Sequence, residues 1–499
     1  MHRMRALSCK KSLPKIQINQ AIQPMTALIQ VLFFLSVILL TYGNTCQAQR
    51  QRQKETTDLF GNQWHLVTSE ISGTASVSIV PLNKECNPVS MEISNGFPSG
   101  KMSLIGSDIN GFVWVGGDSG LIRFDPRKPN EGWRQFRSDD RFPAGAIKSM
   151  SSSASGLIQV NLKNNDTYEV DMDKEGHQIT LKVDSKETSK QSSWKPLTPM
   201  PYSNHDVFGA ELNGKIYIPG GGAPHGYPPV MTNFDRMMIY DTWKDTFKLS
   251  SPMRINRRYC NVGVLDGKIW VIGGFEKVDG KENATATVEI YDPIKDTWTD
   301  GPSLKIPCSQ AVAGVVNGRL YVVFSGSGRP GNFAFSISAT ESQWWEETVP
   351  PYPVAQTDGC VFGNKLYILI PAVGLICYET ATKQWQTGYP PFPNTKAPRA
   401  AAVVNYKKQI WVISGTDVED ETLVWRYTPD ERKWTAGPNF PQSTLWADGL
   451  EVNGKLYVFG GAAYSKRHGI FVFRNRVYEL KYSKRLYPLI SNNWIRNEL

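Results

Sequence analysis

The sequence predicts an all-β fold, a β-propeller of four-stranded blades, and three observations carry that prediction. A strand-like motif recurs six times between residues 214 and 461, a second apolar run ending in an aromatic follows each copy, and 42 Gly and 32 Pro are scattered along the chain. Repetition of one short β unit is the signature of an architecture assembled from blades.

The copies are GKIYIPGG (214–221), GKIWVIGG (267–274), GRLYVVFSG (318–326), NKLYILIP (364–371), KQIWVISG (408–415) and GKLYVFGG (454–461). Each alternates between two faces, as a half-buried strand does, and the Asn-Gly pairs at 213–214, 317–318 and 453–454 supply tight hairpin turns into it. A strand of small residues precedes each copy, such as CNVGVL or AAAVV. The run after it ends in a marker aromatic: Phe247, Trp298, Trp345, Trp385, Trp434 and Tyr487, spaced by 40 to 53 residues. Every unit therefore has room for four strands. Glycine at the inner strand ends lets one blade's backbone approach the next, where a side chain would collide.

These markers make 194–490 resemble a run of six kelch repeats. The double glycine stands at Gly220-Gly221, Gly273-Gly274 and Gly460-Gly461, and the Tyr-Asp pair at Tyr240-Asp241 and Tyr291-Asp292; blades three to five depart from the pattern. Upstream, DINGFVWVGGDSGLIRFDPRKPNEGWRQF (108–136) has the same order of parts and also resembles the propeller repeats of two-component regulator sensors. Trp194 aligns with Trp298 and is read as ending the blade before the first complete kelch unit. The resulting division is a leader (1–48), a linker (49–59), divergent N-terminal blades (60–193), the kelch propeller (194–490) and a tail (491–499). The preferred arrangement is one ring of seven or eight blades, and the alternative is six blades closing alone beside a small N-terminal β domain.

Charge is concentrated at the start. The formal net charge is +9, but the first 48 residues hold Arg3, Arg5, Lys10, Lys11 and Lys15 with no Asp or Glu, and the remainder is an ordinary solvated surface that does not point to nucleic acid. The basic stretch leads into TALIQVLFFLSVILLTYG (26–43), short for a membrane span and apt for a signal-peptide core. Export is expected, with an uncleaved anchor through 26–43 as the alternative and a lipidated Cys46 ranked behind both. Of seven Cys, Cys86, Cys260, Cys308, Cys360 and Cys377 follow the leader with no zinc spacing, an odd number that leaves a free thiol.

The glycine clusters PGGGAPHGYPP (219–229) and SGSGRPG (325–331) lack the Gly-Lys-Ser/Thr and following helix of a phosphate loop, so they are turns. His177, His205, His225 and His468 show no metal-ligand spacing, and no G-x-S-x-G elbow occurs. No catalytic residue, metal or cofactor is assigned. The copper site of galactose oxidase, another kelch-fold protein, carries over to no residue here.

Loops entering the innermost strands sit at a propeller's channel mouth, where ligands bind. Nine residues before the motifs stand His205, Arg258, Ser309, Ala355, Arg399 and Leu445, with Asp206, Arg257, Gln310, Gln356, Asp358, Trp446 and Asp448 close by. The candidate rim is His205, Asp206, Arg257, Arg258, Gln310, Asp358, Arg399, Trp446 and Asp448, suited to a polar or acidic ligand such as a sugar acid; the bland reading is that these groups only hydrate the channel and pair with one another. The long loops at 220–236 and 273–287 are candidate protein contacts, and Asn165 and Asn283 open glycosylation sequons. The resemblance implies an exported module binding a protein or a glycan rather than an enzyme. Its alternatives are a sugar-acid epimerase or mutarotase, and an extracytoplasmic sensor.

Overall fold

The computed structural model describes residues 55–481 apart from 69–74, 81–88, 94–101, 118–119, 137–145, 153–156, 164–166, 173–178, 184–192, 227–228, 327–328, 372, 394–397, 416–422, 442 and 466–469. The leader, His177, His468, Tyr487, Cys86, Asn165 and the tail lie outside the described residues. No described helix is long and apolar enough to cross a membrane. Regular structure is strand throughout, save one 3-10 turn at Pro129–Glu131 among the described residues.

Blade one gives the plan. Its inner strand Ala210–Leu212 pairs with Lys215–Pro219, then Met237–Asp241, then the outer strand Thr246–Leu249. Asn213 and Gly214 both have positive φ, 52° and 71°, the mirror-image turn that matches the twist of a two-residue hairpin. The other inner strands are Asn261–Leu265, Val312–Val316, Gly359–Phe362, Ala402–Tyr406 and Leu445–Val452. Each lies beside the next, and the sixth lies beside the first.

The ring therefore closes on six blades, and the expectation of seven or eight gives way to its alternative. Closure explains why. In the sixth sheet the order runs from Leu445–Val452 through Lys455–Ser465 and Val477–Leu480 to Trp194–Pro196, with Trp194 opposite Leu480. Trp194 thus does not end a blade before the repeats: it is the outer strand of the last one. Tying the two ends of the repeat region into one sheet leaves no open edge for further blades.

The apolar core lies between sheets, as when Tyr217 and Ile239 of blade one meet Val262, Val271 and Tyr291 of blade two. Each buried aliphatic side chain of this kind contributes roughly 1.5–3 kcal/mol. The paired glycines sit at the seam. A side chain on Gly273, at φ 59°, would strike the Cys308 carbonyl of blade three, to which Gly274 donates its N–H at 2.7 Å. Gly220-Gly221 meets Arg257 and Gly460-Gly461 meets Asn204 in the same way. The glycine motif is a backbone junction between blades, not an anion cradle.

Residues 55–183 form three further four-stranded sheets, which begin at Glu55–Thr57, Met102–Ser107 and Ile147–Ser152 and pack on one another in order. The third buries Ile158, Val160 and Leu162 against the second. Its other face is polar, with Asn161 Nδ2 donating to Ser149 Oγ at 2.9 Å and Thr167 Oγ1 donating to Asn161 Oδ1 at 2.7 Å. A polar face ends the stack there, as capping units end other repeat arrays.

Candidate functional site

Six residues with left-handed backbone surround the channel mouth, one per blade: Asp206 (φ 59°), Tyr259 (53°), Gln310 (53°), Gln356 (50°), Ala400 (48°) and Trp446 (57°). A non-glycine residue adopts this conformation at a cost, so its repetition reports a constraint shared by all blades. Hydrogen bonds supply it. Tyr259 N–H donates to Asp206 O at 3.2 Å and Gln310 N–H to Tyr259 O at 3.3 Å; across the ring, Ala400 donates to Gln356 and Trp446 to Ala400. In these four blades the conformation turns the amide toward the preceding blade's carbonyl. The ring lies eight residues before the glycine motif rather than nine, so Asp206, Gln310 and Trp446 belong to it while their neighbours His205, Ser309 and Leu445 do not.

The mouth is narrow, about 20 Å³ of free space, one water's worth. Beneath it a cavity of about 270 Å³ is lined by residues of all six blades, in or just before their inner strands, and Asp358 and Asp448 face it. Both carboxylates are buried and act as interblade ties: Asp358 accepts the Val403 N–H of blade five at 2.8 Å, and Asp448 accepts the Gly209 N–H of blade one at 2.6 Å. Burial pushes Asp448 up to about 7; burial and the nearby charge of Asp448 raise Asp358.

Arg258 is the centre of the charged rim. Its Nη1 donates to Asp206 Oδ2 at 2.6 Å, while Nε and Nη2 fork onto Glu282 at 2.8 and 2.5 Å. A bidentate pair plus a third charged bond fixes the guanidinium and neutralises it. His205 is buried, with its Nε2 3.5 Å from Asp206, its Nδ1 donating to the Gly222 carbonyl, and its ring edge-on to Trp446 and Phe473. Burial lowers its pKa, which favours the neutral ring.

Arg257 does not face the mouth. Strand residues alternate, and Arg257 points into the blade seam, fully buried, where it pairs with Glu289 and donates to the Gly273 and Thr287 carbonyls at 3.0 and 3.1 Å. Its role in the structure is to tie the seam. Arg399 is exposed and reaches Gln356 Oε1 at 3.4 Å. The structure thus gathers His205, Asp206, Arg258 and Trp446 on one side of the mouth, places Gln310 further around it and Asp358 and Asp448 within the channel, and removes Arg257. Glu282, which completes the Arg258 cluster, carries no signal in the sequence, because it lies on a hairpin strand 24 residues away.

Three hairpins rise beside this cluster on consecutive blades: Val230–Asn233 against Gly222–His225 on blade one, Phe275–Val278 against Lys281–Ala284 on blade two, and Ile470–Phe473 against the end of Lys455–Ser465 on blade six. They are joined at their roots, since Asn233 Nδ2 donates to Phe275 O at 3.2 Å and His205 of blade one packs edge-on against Phe473. Among the described residues no cluster of three metal-ligating side chains occurs, and Cys260, Cys308, Cys360 and Cys377 are free and buried.

A family model described as Kelch motif matches residues 256–305. The chain is 35% identical over 144 residues to Kelch repeat and BTB domain-containing protein 12 of Danio rerio, which covers 26% of this chain and 22% of that protein. It is 26% identical over 267 residues to Kelch-like protein 23 of Homo sapiens, 50% and 46% of the two chains. It is 26% identical over 316 residues to N-acetylneuraminate epimerase 1 of Escherichia coli, 60% of this chain and 79% of that protein. The first curated relatives are matched over less than two thirds of their own length. The solved structure named "Structure of YjhT" aligns with a TM-score of 0.47 at 16% identity, over 56% of this chain and 96% of the other.

Proposed function

From the premise that this chain is a kelch-repeat β-propeller protein, we propose that it is a protein-binding module whose contact surface is the raised rim of blades six, one and two. One observation carries this reading. Val230 (63% exposed), Met231, Val278 (47%), Tyr464 and Phe471 (46%) hold apolar side chains in solvent on three adjacent hairpins. Single exposed apolar residues are common, but five grouped on neighbouring hairpins mark a contact surface. Arg258 clamps the second hairpin to the mouth through Glu282, so the surface is pre-ordered and its binding loses less entropy.

A photo-crosslinking residue at Val278 is expected to capture a discrete partner band that Phe471→Ser removes, while the same probe at Ile294, exposed in an outer-strand turn of blade two, captures none. Equal capture from both positions defeats the reading. Export through residues 1–48 belongs to the same proposal; N-terminal sequencing of the mature protein beginning at Met1 would count against cleavage.

The alternative ligand is an acidic sugar, favoured by the alignment with 79% of an N-acetylneuraminate epimerase and by Arg258 and Arg399 near the mouth. Its weakness is that Arg258 already holds two carboxylates. Thermal-shift and NMR anomerisation assays with N-acetylneuraminate test it: a response lost in Arg258→Ala plus Arg399→Ala supports it, and no wild-type response removes it.

A further inference from the structure

Among the described residues, the turn 58–62 of the N-terminal sheets meets the ring at Tyr202, Ser203 and the tip of a rim hairpin. In the turn 58–62, the Asp58 carboxylate accepts the N–H groups of Phe60 and Asn62 at 2.9 and 3.0 Å and the Trp64 indole at 2.7 Å. The turn so fixed presents its carbonyls outward. Leu59 O accepts Ser203 N–H and Oγ–H at 3.0 and 2.5 Å, and Phe60 O accepts Gly226 N–H at 3.1 Å. Asn62 Nδ2 returns a bond to Gly226 O at 2.9 Å. Gly226 is the bend of the blade-one hairpin that carries Val230 and Met231.

Beside Gly226, the His225 ring lies over Gly61 and edge-on to Tyr202 and Phe234, with centroids 5.4 Å away in each case. A Cβ on Gly61, at φ 80°, would collide with the ring. His225 Nδ1 is buried with no hydrogen-bond partner. A protonated imidazole there would place a charge in apolar surroundings, and the groups facing it offer no compensation. The hairpin 222–233 contains no charged residue. On the N-terminal turn the one carboxylate, Asp58, is held by four donors, the Asn62 side-chain amide among them; from the ring side Tyr202 offers a buried hydroxyl, and Asp235 and Arg236, next to Phe234, are exposed.

We infer that the N-terminal sheets splint the blade-one hairpin into its binding position, and that protonation of His225 releases the splint. The inference rests on the rim being the contact surface. Its direction follows from the neutral ring being the form that docks: burial lowers the histidine pKa, so docking is at full strength above the ordinary value of 6.5 and weakens as pH falls below it. Asp58, pushed up to about 6 by burial, gains its own proton in the same range and leaves no charge to pair with the imidazolium.

Hydrogen exchange on the full chain tests the splint without any partner. Between pH 7.5 and 5.5, corrected for intrinsic rates, exchange of peptide 222–233 is expected to accelerate severalfold relative to ring strands, with about tenfold the ceiling for one titrating histidine. His225→Phe should abolish the acceleration, with His225→Gln in its place if the aromatic variant does not fold; Gly61→Ala should produce the loosening at pH 7.5. Equal acceleration in the non-titrating variant, or none in the wild type, overturns the inference. Loosening at 222–233 with unchanged crosslinking from Val230 would instead strike the proposed contact surface and leave the splint standing.

Discussion

In the ring the marker indoles reach across to the neighbouring blade. Trp298 donates to Ser251 O of blade one at 2.9 Å, Trp344 to Pro302 O of blade two at 2.6 Å, Trp385 to Thr348 O at 2.8 Å, Trp434 to Pro390 O at 3.1 Å, and Trp194 to Pro438 O at 3.4 Å. In the N-terminal sheets two of the three described indoles turn back on their own units: Trp64 donates to Asp58 at 2.7 Å and Trp114 to Asp108 at 2.8 Å. The same four-stranded unit is thus held by bonds between units in one region and within units in the other. Latches between blades couple each to the next, and closure joins the last to the first, so the ring should unfold as one body. Units that satisfy themselves should open separately.

The largest effect expected from that difference comes from Trp194→Ala, which removes a buried indole from the closing strand. It should cost about 3–5 kcal/mol and lower protection in all six blades together, read by urea denaturation and hydrogen exchange. Loss confined to blade six would break the comparison. Asp58→Ala strands the Phe60 and Asn62 amides and the Trp64 indole, for about 1–3 kcal/mol. Here the increase in exchange should stay within 55–136 and the splinted hairpin 222–233, and ring strands should keep their wild-type rates.

The contrast also explains what could be read from sequence. The second strand of every blade was legible because its alternation and its turn coincide, joined in blades one, two and six by the glycine pair, and each has a local cause. The closing strand was not, since Trp194 looks like any blade's marker and only its pairing with Leu480, far along the chain, reveals which blade it completes. Adjacent residues were harder still. Trp344 is the buried latch of blade three and Trp345 is half exposed, just as Arg258 faces the rim and Arg257 the seam. Composition cannot distinguish neighbours on opposite faces of a strand; register can. In the N-terminal region, Asp-x-x-Gly-x-x-Trp at 58–64 repeats at 108–114, and the shared spacing was the available signal for the first unit.

Acidity should separate the two regions more gently. Burial pushes Asp58 and Asp108 up to about 6, so the folded N-terminal sheets take up protons that the unfolded chain, with ordinary carboxylates, does not bind until lower pH. Their stability therefore rises as pH falls through 6 and levels off near 4. From pH 7 to 5.5 the two groups together should add about 1–2 kcal/mol to local protection of 55–136, an increase that Asp108→Asn halves. This runs opposite to the loosening expected at 222–233, so a single exchange experiment sees both signs. A uniform shift in one direction would mean that the turns and the hairpin respond as one unit.

The smallest effect tests the latch itself, by adding the one that blade one lacks. Phe247 stands where the other blades have Trp, and its ring lies 4.7 Å from Tyr240, as Trp298 lies 4.9 Å from Tyr291, Trp385 5.0 Å from Tyr378 and Trp434 5.1 Å from Tyr427. The segment it faces runs Trp194-Lys-Pro-Leu-Thr198, in which Thr198 aligns with Ser251 and Pro302, the acceptors in blades one and two. At present Thr198 is held through its own N–H, which donates to Asp245 at 2.9 Å, and its carbonyl is the position an indole would meet. Phe247→Trp is expected to stabilise the ring by about 0.5–1.5 kcal/mol, the net value of one buried hydrogen bond, seen as a higher urea midpoint with an unchanged slope. The gain should vanish in the Trp194→Ala background, where the closing strand no longer holds Thr198 in place. A loss of stability in the wild-type background would show that shape at this seam, rather than the indole bond, is what joins one blade to the next.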